Sequence, residues 1–261
     1  MKTQRFTQIT DLHLGPARDS TLAGVRTVES FESVLQVVEQ QGRGSDVLLL
    51  TGDLAADCDP KAYQILNQIL VEQCKQAIWL PGNHDDFELM VENLVDYPPV
   101  SVLGAGNWAV LTLDSSQPHK PGGHIAEVQL EQIARTLDSH ADKFVLLAMH
   151  HSPVEVGCDW LDKQMIDNAH RLYALLHAHG HVKGVITGHV HQPFTGRWGE
   201  LLVYSSPSSC VQFKQYCEDF TLSSEPPGYR WLDLHEDGSI NTGVEFLQDF
   251  TQTPDLDSAT Y

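Results

Sequence analysis

The chain has 261 residues, and its 35 acidic against 16 basic side chains give a formal charge of −19, which repels nucleic acid and anionic membrane surfaces. A hydrophobic content of 41% suits one soluble α/β domain, and no run approaches the roughly 20 apolar residues of a membrane span. Five cysteines (Cys58, Cys74, Cys158, Cys210 and Cys217) with no Cys-x-x-Cys pair form neither a disulfide framework nor a zinc–thiolate site, and read as reduced, mostly buried thiols.

The opening MKTQRFTQITDLHLG holds no long apolar h-region, so no signal peptide is expected and the protein is read as cytoplasmic. Gln4 to Thr10 reads as a first strand. Arg18 to Arg26, polar and glycine-containing, reads as a loop across the top of the domain. Val28, Phe31, Val34, Leu35 and Val38 recur at helical spacing, and Gly42 and Gly44 end that helix. Asp46 to Thr51 is a buried-type strand. Asp59 is the expected N-cap of a second helix, with Pro60 at its first position. Ala77 to Leu80 and Trp108 to Asp114 are strands, Ile125 to Leu137 a helix, Lys143 to Met149 a strand, Asp167 to His179 a helix and Lys183 to Thr187 a strand. Beyond that the pattern turns all-β, with Leu201 to Ser205, Tyr229 to Leu234 and Ile240 to Leu247. Residues 1–247 are expected to form a single domain, and the polar tail 248–261 to be mobile or draped on the surface. There is no internal repeat or linker.

Strands alternating with helices imply a βαβ core with parallel strands, whose sites form beyond the carboxyl ends of the strands. Four motifs stand at such ends: Asp11-Leu12-His13, Gly52-Asp53, Gly82-Asn83-His84-Asp85 and Gly188-His189-Val190-His191. Asp11 and His13, two apart on an extended chain, would leave the same face. The Asp53 carboxylate has two oxygens and can bridge two cations. Gly82 permits a tight turn, and the Asn83 amide oxygen can ligate a hard metal without adding charge. His189 and His191 share a face. Of the neighbours His150 and His151, strand alternation lets at most one reach the site, and periodicity does not choose which. The remaining histidines need no function. His177, His179 and His181 sit at a helix end, where histidine commonly serves the last carbonyls.

In this order the motifs, with a later histidine, resemble the calcineurin-like dinuclear metallophosphoesterase superfamily over about residues 4 to 206. The resemblance implies a four-layer α/β/β/α sandwich with two metal ions between the sheet edges. It assigns Asp11, His13, Asp53 and His191 to one ion, and Asp53, Asn83, His150 and His189 to the other, favouring His150 over His151. It leaves His84 beside the ions, with Asn83, His84 and His191 against the substrate phosphate. Nitrogen and oxygen donors without sulfur fit Fe, Mn, Co or Zn, and the family likeness favours iron or manganese.

Asn83-His84-Asp85, Met149-His150-His151-Ser152-Pro153, Gly157 to Asp162 and Pro207 to Phe213 further resemble the bacterial class III 3′,5′-cyclic-AMP phosphodiesterases. That likeness implies hydrolysis of cyclic AMP to 5′-AMP by a metal-bridging hydroxide, with His84 assisting the leaving 3′ oxygen. Two divalent ions with Asp11, Asp53 and one hydroxide leave a single positive charge, matched to a monoanionic diester. The expected partner is a small cyclic nucleotide, with no nucleic acid and no membrane; the oligomeric state is open. Trp160, in a segment able to form a lid, is either a stacking platform for adenine or ordinary packing. Two alternatives stand beside this reading. One is a broader phosphodiesterase acting on 2′,3′-cyclic nucleotides or glycerophosphodiesters. The other is a catalytically silent scaffold, which the complete set of ligand positions disfavours.

Overall fold

The computed structural model describes residues 3–44 and 46–258. In chain order the elements are β1 (Gln4–Ile9), β2 (Thr21–Leu22), β3 (Val25–Arg26), α1 (Thr27–Gln40), β4 (Val47–Thr51), α2 (Pro60–Gln73), β5 (Ala77–Leu80), α3 (Phe87–Asn93), β6 (Val102–Ala105), β7 (Trp108–Thr112) and α4 (Glu127–Ser139). There follow β8 (Phe144–Ala148), the single turn α5 (Asp159–Asp162), α6 (Ala169–His177), β9 (Val182–Thr187), β10 (Phe194–Trp198), β11 (Leu201–Ser205), β12 (Gln212–Phe213), β13 (Leu222–Ser223), β14 (Gly228–Leu234) and β15 (Ile240–Phe246).

Two sheets carry the molecule, one in the order β15-β14-β1-β4-β5 and the other in the order β10-β11-β9-β8-β7-β6. β1, β4 and β5 run parallel, as do β7, β8, β9 and β11, while β6, β10, β14 and β15 are antiparallel additions at the edges. Strand alternation sorts the apolar side chains into layers. Leu48 and Leu50 of β4 pack outward with α1 and α2, through Phe31, Val34, Tyr63 and Leu66. Leu49 points the other way, into a core shared by the two sheets with Phe6, Ile78, Val110, Leu146, Ile186 and Leu232. On the second sheet Val145, Leu147 and Val185 pack outward against α4 and α6 through Ile133, Leu137, Leu172 and Leu176. The result is the expected α/β/β/α sandwich. Burial on both faces is why the central strands read as unbroken apolar runs.

Local signals act as their chemistry predicts. The Asp59 carboxylate accepts from Lys61 N at 2.8 Å, with Pro60 opening α2. His179 Nδ1 donates to the carbonyl of Leu175 at 2.8 Å, serving the end of α6 as expected for that cluster. The segment 18–26, expected as loop, contains a two-residue hairpin of β2 and β3. α3 escapes a periodicity search because it is two turns long, held by Asp86 at its N-cap and Met90 in the core. The backbone N–H of Arg26 donates to Gln252 Oε1 and that of Asp255 to the Ala23 carbonyl, both at 2.8 Å, so residues 248–258 cross the small hairpin. The last three residues of the tail lie outside the described residues. Among the described residues no helix is long and apolar enough to cross a membrane.

Candidate metal centre

Because β1, β4, β5, β8 and β9 run in the senses their parallel pairing dictates, their carboxyl ends deliver all four motifs and His150 to one place. The chain there is not extended. Asp11, His13, Asp53, His189 and His191 have φ of +55°, +46°, +51°, +68° and +47°, the left-handed region that costs a residue with a Cβ about 1 kcal/mol or more. Asp11 and His13 therefore converge through two tight turns rather than by sharing a strand face. The turns brace one another: Asp11 N donates to the Gly52 carbonyl and His13 N to the Asp53 carbonyl, each at 3.0 Å. His189 N donates to the Asp11 carboxylate at 3.1 Å. Gly82 has no left-handed φ; its role is closeness, since a Cβ there would stand 2.1 Å from Asp53 Oδ1 and 2.4 Å from Asp53 N.

The donor atoms fall into overlapping groups, each within 4.8 Å: Asp11, His13 and His191; Asp11, Asp53 and His150; His13, Asp53 and His84; and His150, His151 and His189. His191 Nε2 lies 3.3 Å from Asp11 Oδ1 and 3.2 Å from His13 Nε2. His150 Nε2 lies 3.2 Å from Asp53 Oδ2 and 3.9 Å from Asp11 Oδ1. A carbonyl accepts only, so it fixes which ring nitrogen carries the proton. Nδ1–H of His150 donates to the Thr51 carbonyl at 2.8 Å, that of His191 to Val211 at 2.6 Å and that of His84 to Ala56 at 2.9 Å. Each leaves Nε2 facing inward as the nitrogen available to the centre. Asp53 Oδ1 accepts from His84 N at 2.9 Å, so Oδ2 is the oxygen left for bridging.

Asp53 Oδ2, Asn83 Oδ1, His150 Nε2 and both ring nitrogens of His189 are buried with no hydrogen-bond partner. Buried polar atoms without partners are costly and rare, and two oxygens with one imidazole nitrogen from each histidine offer electron pairs that fit cations. The residues present therefore suit the two metal ions that the motifs imply.

The local field reinforces this. Burial alone would raise the Asp53 carboxyl, but His150 and His84 hold it well below its usual range, and His191 and His150 lower that of Asp11 against burial. Burial lowers His150, yet Asp53 and Asp11 outweigh it and raise that imidazolium to about 9. Burial pushes His13 down to about 3 and lowers His189 strongly, keeping both neutral, as metal ligands must be.

Asp11, His13, Asp53, His84, His150, His189 and His191 are thus brought together, and Asn83 lies in the turn between Gly82 and His84 with its amide oxygen buried. The expectation that only one of His150 and His151 reaches the site does not survive. Both follow the end of β8, where alternation no longer applies, and the ring centroid of His151 is 4.7 Å from that of His189. Trp160 packs edge-on against Phe213 and Phe220, at 5.0 and 5.4 Å between centroids, so it serves as packing in a satellite core over the site.

Asp85 was read only as the residue after Gly-Asn-His. Its carboxylate accepts from Gly82 N at 2.9 Å, Ala55 N at 3.0 Å, Leu54 N at 3.1 Å and Tyr63 OH at 3.0 Å, tying the Asp53 turn to the Asn83 turn. Burial and the charge of Asp53 push that carboxyl up to about 6. Its place in the motif is the available signal; three of its four partners, Leu54, Ala55 and Tyr63, lie 22 to 31 residues away and give none.

Comparison with known proteins agrees with this geometry. Residues 4–193 match the calcineurin-like phosphoesterase family. The chain is 38% identical over 260 residues to the 3′,5′-cyclic adenosine monophosphate phosphodiesterase CpdA of Escherichia coli K12, covering 98% of this chain and 94% of that one. It is 35% identical over 263 residues to the protein of the same name from Pseudomonas aeruginosa, covering 97% and 94%. Among solved structures, a dimetal phosphatase from Danio rerio superposes with a TM-score of 0.60 at 14% identity, over 88% of this chain and 95% of that chain, a likeness of fold alone. The turns, the donor set and these relatives lead to one conclusion: the chain belongs to the calcineurin-like metallophosphoesterase family.

Proposed function

We propose that the chain hydrolyses 3′,5′-cyclic AMP to 5′-AMP at a dinuclear metal centre. One ion is held by Asp11, His13, Asp53 and His191, and the other by Asp53, Asn83, His150 and His189. The observation that carries the hydrolytic reading is the convergence of four buried ligand atoms, one each on Asp53, Asn83, His150 and His189, that make no hydrogen bond among the described residues. The preference for cyclic AMP is supported by relatives of that printed function at 33 to 38% identity over nearly the whole chain.

When bound, such ions supply Lewis acidity toward phosphate oxygens and a water acidified to near neutrality. The chain's own residues do the rest. His84, with Nδ1–H anchored on the Ala56 carbonyl, turns Nε2 toward the centre, where it assists the leaving 3′ oxygen. Asn83 and His191 orient the phosphate. Asn83 ligates without charge, which keeps the centre attractive to a monoanionic diester on a molecule whose overall charge of −19 repels phosphate. Donors of nitrogen and oxygen without sulfur fit iron, manganese, cobalt or zinc, and the family likeness favours iron or manganese as the resident ions. The substrate reading carries with it a cytoplasmic location.

The test is a comparison of kcat/KM for cyclic AMP, cyclic GMP, a 2′,3′-cyclic nucleotide and bis-p-nitrophenyl phosphate, with the metals measured in the same preparation. Cyclic AMP should lead. A 2′,3′-cyclic nucleotide in front would replace this reading by the broader phosphodiesterase, and a metal-loaded protein that turns over none of the four would leave only a binding scaffold.

A further inference from the structure

Within the centre, His189 is held differently from His150, His191 and His84. His150, His191 and His84 each have Nδ1 tied to a backbone carbonyl, which fixes the ring about its long axis. Neither nitrogen of His189 has such a tie. One nitrogen is accounted for by an ion; among the described residues no hydrogen bond then sets the plane of the ring.

Two rings lie against it: His150, with centroids 5.1 Å apart and planes at 71°, and, nearer, His151, at 4.7 Å and 48°. His151 is itself locked. Its Nε2–H donates to the Pro121 carbonyl at 3.1 Å, and Ser115 Oγ donates to its Nδ1 at 2.8 Å while accepting from its backbone N at 3.1 Å. Both ring nitrogens are thus committed within the protein, so no lone pair is left for a cation. The loop that supplies these partners wraps the ring closely. At Gly123 a Cβ would come within 2.7 Å of both Cβ and Cγ of His151, so only glycine lets the loop pass.

We propose that His151 is a positioning residue. Its ring, locked by Ser115 and Pro121, sets the plane of His189 and thereby the affinity for the ion His189 holds. Packing does for His189 what carbonyl bonds do for His150 and His191. The proposal rests on the two-metal reading of the same site.

The test is a stepwise Mn²⁺ titration of the chelator-treated full chain, followed by electron paramagnetic resonance and by elemental analysis after gel filtration. The variants are His151→Asn, His151→Phe and Ser115→Ala, with His189→Ala as reference. Asn keeps an acceptor for Ser115 but removes the ring; Phe keeps the ring face but no ring nitrogen. His151→Asn should weaken one Mn²⁺ step by about 10- to 100-fold and spare the other, the usual effect of losing a residue that orients a ligand. His151→Phe, which keeps the ring but loses both anchors, and Ser115→Ala, which loses one, should each show a smaller loss confined to the same step. Unchanged binding in His151→Asn overturns the proposal, as does equal weakening of both steps, which would mark a general structural role. Loss in His151→Phe as deep as in His189→Ala overturns it too, by making His151 a ligand. A parent chain that binds no Mn²⁺ pair refutes the two-metal reading itself and this proposal with it.

Discussion

Asp53 connects more of the centre than any other side chain. Its Oδ1 accepts the His84 amide, its Oδ2 lies 3.2 Å from His150 Nε2, and its own backbone sits at a φ of +51°. His84, bonded to that carboxylate through its backbone, has its ring 5.0 Å from His13 and anchored on Ala56. As an acid–base group beside the ions it predicts that His84→Ala keeps both metals by elemental analysis and lowers kcat by ~10²–10⁴. Loss of a metal instead would make His84 a ligand. His150 gives a pH prediction. Its folded value of about 9 lies above its ordinary 6.5, so in chelator-treated protein it holds a proton through neutral pH that a metal must displace. Apparent affinity should then rise about tenfold per pH unit up to near pH 9 and level off above it. A Mn²⁺ titration that is flat between pH 6 and 8 would contradict the assignment of His150.

The strand ends, not the strands, shape the site. Five of the residues proposed as ligands are left-handed without being glycine, and such turns persist only where neighbours over-determine them. Asp85 is the principal brace, with four donors from the turns around Asp53 and Asn83 and from Tyr63. Asp85→Ala would leave those donors buried and unpaired. It should cost about 3 kcal/mol or more in urea denaturation. It should weaken Mn²⁺ binding as well, whereas unchanged binding would show that the turns hold their shape alone.

This scale also shows where sequence reading reaches and where it stops. The strand ends and motif residues were readable because buried strands are short apolar runs and the ligands follow them directly. The reason Asp11 and His13 converge was not, since an Asp-x-His pair looks the same in an extended or a doubly turned chain. His151 and Asp85 were passed over for a related reason: their roles depend on Ser115, Pro121, Leu54 and Tyr63, contacts that carry no spacing signature. α3, β10, β12 and β13 carry no such signal because they are brief, and all but β12 are partly exposed.

At the scale of the molecule the two sheets must hold their carboxyl ends at a fixed separation, because Asp11, Asp53 and Asn83 come from one and His150, His189 and His191 from the other. The shared apolar core does most of this. Arg230 of β14 adds a polar tie. Its guanidinium is buried, donates to the Ser205 carbonyl at 2.8 and 3.2 Å and to the Phe194 carbonyl at 3.1 Å, and lies over the Tyr204 ring. Burial lowers its pKa to about 10. Arg230→Ala should destabilise the fold by about 3 kcal/mol through the cavity and the two carbonyls left unpaired. A change below about 0.5 kcal/mol, the range of an ordinary surface substitution, would show that the tie is idle.

The central claim is direct hydrolysis of a 3′,5′-cyclic phosphodiester with release of the 3′ oxygen. The most direct measurement is turnover of cyclic AMP in ¹⁸O-labelled water by the metal-loaded chain, with the product identified by mass spectrometry and ³¹P NMR. The account predicts 5′-AMP carrying a single ¹⁸O on phosphorus. Formation of 3′-AMP, or of 5′-AMP without the label, would contradict it.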